Sequence, residues 1–330
     1  MVGKQRITQW FPLTAMAALI SVGTATTTLA ADYPEKPIQL IVSYGEGGST
    51  DTMARIFAKY AEDVIGERMV VVNKPGAGGE LGWVHLANAE PDGYTIGLIN
   101  SPVVEVYPFT REDTVGYEYE AIRPLANVVT DPGILAVDAD SPYQDLDAFV
   151  TAAQDDPDSI TVSHEGVGGD DHLAAINFAK EANLDLNFVT FNGNAEATAA
   201  LLGGHITAFE GNMSEAASQV QEGEIRALAV WSDERMDAIP DVPTGKEQGY
   251  DVEAAASRGF AVPADVPQDI YDKLLDVMQE VIEDPEFRDE MAALNMPVNP
   301  IYGQDYADFL DASHERLKAL WEEDPWIDAE

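Results

Sequence analysis

The strongest constraint in this chain is a unit that occurs twice within its first hundred residues. It is a β-branched apolar run, then a glycine-rich turn, then apolar residues at helical spacing. Ile38-Gln39-Leu40-Ile41-Val42 has the composition of a buried strand. Tyr44-Gly45-Glu46-Gly47-Gly48-Ser49-Thr50-Asp51 follows, and Met53, Ile56, Phe57, Tyr60 and Val64 then fall on one helical face. Ser49 reads as the N-cap, with Asp51 in the first turn where a negative charge suits the helix dipole. The second unit runs from Val70-Val71-Val72 through Asn73-Lys74-Pro75-Gly76-Ala77-Gly78-Gly79 into a helical stretch, Leu81 to Ala89. Two such units in tandem predict a parallel sheet whose turns open at one carboxyl edge, where α/β folds bind ligands. Glycines let the backbone approach a ligand, and the free N–H groups of each new helix make an anion cradle. Locally, an ordinary glycine-rich turn is the alternative.

The same theme continues. Pro91-Asp92-Gly93 is a turn into a strand, Tyr94–Ile99, whose end at Asn100-Ser101-Pro102 falls beside the first two turns and makes Ser101 a pocket candidate. Arg123–Val137 reads as a strand connecting to a second lobe, and Asp145–Asp156 as a helix that buries Leu146, Phe149 and Val150. Ile160–Ser163 leads to the turn His164–His172 and a helix from Leu173 to Ala182. Leu186–Thr190 leads to Phe191–Ala195 and a helix from Glu196 to Leu202. Ile206–Phe209 leads to Glu210-Gly211-Asn212-Met213, and Ala227–Trp231 is the return strand. The tail is helical. Ile270, Leu274, Leu275, Met278, Val281 and Ile282 make one stripe. Asp284-Pro285 starts another helix, and Tyr306, Phe309, Leu310, Leu317, Leu320 and Trp321 make the last apolar side.

Several short motifs recur in a fixed order: Pro34-Glu35-Lys36-Pro37-Ile38, Gly47-Gly48-Ser49-Thr50-Asp51, Asn73–Gly79, Pro91-Asp92-Gly93-Tyr94-Thr95, Leu201-Leu202-Gly203-Gly204, Gly223–Ala229 and Asp241-Val242-Pro243-Thr244. In this order and spacing they resemble the solute-binding proteins of tripartite tricarboxylate transporters, the TctC or Bug receptor family. The resemblance covers nearly the whole chain after residue 31. It implies an α/β, two-lobed, periplasmic-binding-protein-like (type II) fold with a hinge between lobes. The expected division is a signal peptide over 1–30, the first part of lobe I over 31–124, lobe II over 125–229, and the lobe I return with C-terminal helices over 230–330.

Met1–Ala30 has the pattern of a secretory leader: Lys4 and Arg6, an apolar run from Phe11 to Val22, and small residues before Ala31. The apolar run is interrupted by Pro12, Thr14 and Ser21 and is short for a span of about 20 residues. The chain has no cysteine, so neither a lipid-modified cysteine nor a disulfide is available. A periplasmic monomer, without membrane insertion after cleavage, is the expectation.

Charge narrows the partners. Asp and Glu number 59 against 18 Lys and Arg, for a net charge of −41. Nucleic acid and anionic membrane surfaces are excluded as partners by repulsion. The acids are spread along the chain, which suits a solvated surface in high external salt.

No pattern for catalysis stands out. There is no Gly-x-Ser-x-Gly elbow, no Walker lysine and no helical His pair, and the chain holds five histidines. The alternative from another class is a metal-dependent hydrolase using His164, Asp170, Asp171 and His172. A third reading is a ligand sensor that docks to a signalling partner.

By resemblance, a small carboxylate or amino-acid solute sits between the lobes and is passed to membrane permease subunits, with no cofactor and no resident metal. Backbone N–H groups of Gly47, Gly48, Ser49, Thr50 and Asp51, and of Gly76, Ala77, Gly78 and Gly79, hold the carboxylate, with Tyr44 and Ser101 beside them. Gly168, Gly169, Asp170, His172, Asn192, Gly193 and Asn212 select the rest. Arg258 either clamps a carboxylate or pairs with a surface acid. Glu165 and Glu210 read as part of the general acid enrichment. Glu46 and Asp170 stay open between that and a cleft role. If they face the cleft, they call for a ligand with a positive group, or for a divalent cation beside the carboxylate.

Overall fold

The protein is described by a computed structural model over residues 1–3, 33–191, 193–323 and 325. The expected leader lies outside the described residues, apart from its first three positions.

The first strand, β1 (Ile38–Val42), runs parallel to β2 (Met69–Asn73) on one side and β3 (Thr95–Ser101) on the other. Between them stand α1 (Ser49–Ile65) and α2 (Glu80–Ala87), so both glycine turns do open at one edge. Gly66 ends α1 in the left-handed region at φ 81°, returning its N–H to Glu62 O, a geometry that costs glycine little. Gly82 lets α2 lie directly on β1, because a Cβ there would come within 2.7 Å of Ser43 Cα. After α3 (Val103–Thr110) comes β4 (Ile122–Asp138), a 17-residue strand that serves two sheets.

The second part of the chain carries α4 (Leu146–Asp155), β5 (Thr161–His164), α5 (Asp170–Ala182), β6 (Asn187–Thr190), α6 (Asn194–Leu202), β7 (Phe209–Asn212), α7 (Met213–Glu222) and β8 (Ile225–Val230). It then returns through β9 (Ala255–Pro263) to α8 (Gln268–Glu283), α9 (Pro285–Ala292), β10 (Val298–Tyr302) and α10 (Gly303–Glu323). The strand order is β10-β4-β9-β3-β1-β2. Residues Ile122–Pro132 of β4 pair with β9, whereas Gly133–Asp138 pair with β7 and β8. One strand thus passes from one sheet into the other, giving a two-lobed α/β fold.

Each lobe has its own apolar interior. Phe57, Leu98, Phe260, Met278 and Phe287 share one, with the Phe57 and Phe260 rings 4.3 Å apart. Leu135, Phe149, Phe178 and Trp231 share the other. Burying one such side chain contributes roughly 1.5–3 kcal/mol. Asp284 caps α9 by accepting from the Glu286 and Phe287 N–H groups, with Pro285 at the first helical position, as Asp284-Pro285 predicts. Among the described residues, no helix is long and apolar enough to cross a membrane.

Three local readings need correction. Ser49 is the first residue of α1 and not its cap; Gly48 occupies the cap position and makes no side-chain bond. Glu210 and Asn212 lie in a strand and not in a turn, because antiparallel pairing to β4 sets Glu210 opposite Leu135. In the last helix Tyr306, Leu310 and Leu317 are buried, while Phe309 and Leu320 are exposed.

Candidate ligand-binding site

Four helices begin around one cavity of about 570 Å³ between the lobes. The turn from Tyr44 to Thr50 leads into α1 and supplies the first wall, with Gly78, Asn100, Val103 and Tyr107 beside it. The turn from Glu165 to Asp171 leads into α5, Gly193–Ala195 starts α6, and Asn212 precedes α7, whose Glu215 and Gln219 also line the second wall. Ala256 and Arg258 of β9 line it between the walls. A smaller hollow, about 380 Å³, sits at the C-terminal end of α5 near Asn183 and Leu186.

None of the four helices is capped by the side chain of its own N-cap residue. In α1, α5 and α6 that residue is glycine. In α7 it is Asn212, whose side chain instead donates to Asp170 Oδ2 at 2.6 Å and accepts from Arg258 at 2.6 Å. The positive dipole ends therefore converge on the cavity, and side chains from elsewhere take N–H groups at three of the starts: Asp131 accepts from Ser214 of α7, Asp171 from His172 of α5 and Glu165 from Asn194 of α6, which leaves the start of α1 as the one without such an acceptor among the described residues.

Arg258 does not pair with a surface acid. It is 2% exposed, donates to Asp131 at 2.7 Å, and lies 3.9 Å from Glu215. Burial opposes its charge, but Asp131 and Glu215 outweigh that and hold its pKa above the ordinary value. Glu215 bridges the cleft: Ser49 Oγ donates to it at 2.9 Å, and Asn194 Nδ2 donates to its other oxygen. Burial pushes the Glu215 carboxyl up to about 8, with Arg258 pulling down and Glu165 and Asp131 pushing up. Asp170 and Glu165 are raised too, each by burial first; mutual repulsion adds to the shift of Glu165.

Of the expected residues, Tyr44, Gly47, Gly48, Ser49, Thr50, Gly78, Gly169, Asp170, Gly193, Asn212 and Arg258 line the cavity. Asn192 lies outside the described residues. Asp51, Gly76, Ala77, Gly79, Ser101, Gly168 and His172 are not among its lining residues. Asp51 is turned to the protein: it accepts from Gly47 N–H and Asn73 Nδ2 and pairs with Arg55 at 2.9 Å, fixing the turn. Gly79 packs on Trp83, and Ser101 donates to the buried carboxyl of Glu105. Gly168 N–H donates to His172 Nδ1.

The His164 and His172 rings, 4.6 Å apart, are buried together against Phe188. Burial and the neighbouring His164 push His172 down to about 3. Among the described residues, no group of three His, Cys, Asp or Glu side chains is spaced to hold a metal ion. Glu46 and Asp170, left open by the sequence, both line the cavity; so does Glu165, read from the sequence as general acid enrichment. Glu210, read the same way, is instead fully buried and bonded to Trp231. Sequence reasoning missed Asn100, Tyr107, Thr198, Glu215 and Gln219, whereas Asn194 falls in the Phe191–Ala195 turn it singled out. Asn100 sits at the end of β3 beside Ser101, and Glu215 and Gln219 carry no signal beyond their places in the first and second turns of a helix.

Residues 53–324 match the family described as the tripartite tricarboxylate transporter family receptor, TctC. The chain belongs to this family. BugT of Bordetella pertussis is 33% identical over 258 residues, covering 76% of this chain and 79% of BugT. A TctC solute-binding protein from Polaromonas, solved without ligand, is 31% identical with a TM-score of 0.71, over 88% of this chain and 99% of that one. MatC from Rhodopseudomonas palustris, solved with bound malate, shares the fold at 23% identity and a TM-score of 0.77, over 87% of this chain and 99% of that one. As a TctC member, this chain is a solute-binding receptor of a transport system.

Proposed function

We propose that the cleft captures a small carboxylate-bearing solute and that its walls close before membrane permease subunits receive it. The observation that carries this is the meeting of four helix starts without N-cap side chains at one cavity. A carboxylate at such a point accepts from backbone N–H groups and faces favourable dipole ends. The malate held by the distant fold relative MatC fits the same ligand class. Tyr44, Gly47, Gly48, Ser49, Thr50 and Gly78 are the first wall's contacts in this reading, and Gly169, Asp170, Gly193 and Asn212 the second's. Whole-molecule charge opposes an anion, but screening over about 8 Å at physiological salt confines that opposition.

Closure is a rotation of lobe on lobe. We place lobe I at 33–132 and 255–323 and lobe II at 133–254, in place of boundaries at 124/125 and 229/230. Strand pairing changes partner at Pro132–Gly133, and β9 rejoins the first sheet at Ala255. Two strand segments are the hinge of such a fold. The family and the leader pattern of Met1–Ala30 support a periplasmic site of action.

Gly48 offers a clean test. Its φ is −73°, and an added Cβ would meet only Gly45 O at 3.7 Å, so a side chain is tolerated there. Thermal-shift and calorimetric titration with di- and tricarboxylates and amino acids should find a ligand that stabilises the protein by about 2.7 kcal/mol at 100 times its dissociation constant. Gly48→Leu should keep the melting temperature and lose that ligand. A panel in which no carboxylate stabilises the protein overturns the reading.

A further inference from the structure

The two walls of the cleft differ in charge. On the first, Asp51 at the start of α1 is neutralised by Arg55 at 2.9 Å, which leaves that helix end positive, and the acid that lines this wall, Glu46, is exposed on the turn ahead of it. On the second, Glu165, Asp170 and Glu215 line the cavity. Arg258, the one Lys or Arg among the described lining residues, lies nearest Asp131 at 2.7 Å and is 3.9 Å from Glu215. The second wall therefore holds more carboxyl groups than positive charge to match them. Its helix starts are also already occupied. Glu165 accepts from the backbone N–H of Asn194 at the start of α6, and Asp171 accepts from the N–H groups of Glu165 and His172 around the start of α5.

Neutral amides, not cations, partner these acids from within the wall: Asn194 Nδ2 donates to Glu215 and Asn212 Nδ2 to Asp170.

We infer that the solute is bipolar: a carboxylate at the start of α1, and a cationic nitrogen seated on the second wall against Glu165, Asp170 and Glu215. This rests on the carboxylate-receptor reading and narrows it. A plain dicarboxylate would set its second anion against three acids. A nitrogen with several N–H groups balances their charge and donates to their carboxylate oxygens. Protonation of the wall is the competing way to remove its charge, and it has the opposite pH signature. The groups facing Glu215 are Ser49 of α1, Arg258 of β9, Asp131 of β4, Asn194 of α6 and Glu165 ahead of α5. As Glu215 ionises above about pH 8, a cationic nitrogen binds more tightly, whereas a dicarboxylate on a protonated wall binds less tightly.

The test is calorimetric titration of the purified protein with pairs matched in length: succinate against 3-aminopropanoate, glutarate against 4-aminobutanoate, adipate against 5-aminopentanoate. Each is run from about pH 6 to about pH 9, where an alkylammonium of pKa about 10.4 stays charged, and repeated with EDTA. At the best length the amino acid should bind at least about tenfold more tightly than its dicarboxylate, and more tightly still as pH rises. Glu215→Gln, checked for folding by circular dichroism, should weaken the amino acid about tenfold more than it weakens the dicarboxylate. Tighter dicarboxylate binding, affinity that falls with rising pH, or binding abolished by EDTA overturns the cationic nitrogen and leaves the carboxylate receptor standing. Silence from both series overturns both readings.

Discussion

Arg258 and Asp131 form a buried ion pair, 2.7 Å apart, beside the point where the chain passes between lobes. Asp131 also accepts from Ser214 N–H at 3.0 Å and Ser214 Oγ at 2.5 Å, while Arg258 reaches Asn212. The pair thus ties β4 and β9 of one sheet to the start of α7 on the other lobe. A buried pair adds little net stability while intact, because desolvation offsets the attraction; breaking it is another matter. Asp131→Ala leaves a buried guanidinium without its closest anion, and urea denaturation should register a loss of roughly 3–5 kcal/mol. A loss below about 1 kcal/mol would mean that Glu215 or water replaces Asp131 fully.

That pair also marks the limit of what the sequence discloses. The tandem strand–glycine–helix units, read from Ile38–Val42 and Val70–Val72, predict parallel β1 and β2 with their turns at one edge, and the structure has them. Such readings succeed because glycine, β-branching and helical spacing act over a few residues. Arg258 and Asp131 are 127 residues apart, and nothing local to either reveals the other. Glu210 misleads for the same reason: it looks like one more acid in an acidic chain, yet β-pairing turns it inward onto Trp231, 2.7 Å away. Asp51 is placed correctly at a helix start but faces Arg55 and Asn73, because the turn needs its carboxylate more than a ligand does.

Glu105 gives a pH-dependent stability. It is fully buried, and burial pushes its carboxyl up to about 8, against hydrogen bonds from Ser101 and Ser313 and the attraction of Arg316; Asp311 adds to the rise. The unfolded chain releases this proton near 4.5 and the folded protein near 8. The folded state therefore holds more protons between these values, and its stability falls as pH rises through that window, by up to about 1.4 kcal/mol per unit. Urea midpoints measured from pH 5 to pH 9 should fall less steeply in Glu105→Gln than in the parent. Parallel profiles for the two proteins would mean that Glu105 does not titrate in this range.

Glu210 and Trp231 supply a test of a polar pair inside an apolar core. Trp231 Nε1 donates to Glu210 Oε1, Glu210 Oε2 has no partner, and burial raises the carboxyl well above its ordinary pKa. Glu210→Gln keeps an acceptor for the indole and removes the titrating group, so stability at alkaline pH should rise. Glu210→Ala leaves the indole N–H unpaired beside a cavity and should cost about 1–3 kcal/mol from the hydrogen bond alone. Equal effects of the two substitutions would show that the Trp231 bond contributes nothing of its own.

Ser49 and Glu215 touch across the cleft at 2.9 Å, first residue of α1 to third residue of α7. A bond that joins the two lobes favours the arrangement in which they approach each other. A hydrogen bond contributes roughly 0.5–1.5 kcal/mol while the Glu215 carboxyl is protonated and roughly 1.5–3 kcal/mol once it ionises, less where water competes. Removing it with Ser49→Ala should therefore raise the open fraction of the empty protein, and small-angle scattering should record a larger radius of gyration. Because apparent affinity scales with the fraction already competent to bind, the ligand should weaken by about tenfold while the ligand-bound scattering profile stays that of the parent. An affinity loss with no change in the empty protein's radius would instead make the Ser49 hydroxyl a direct ligand contact. The comparison separates a clasp between lobes from a contact within one.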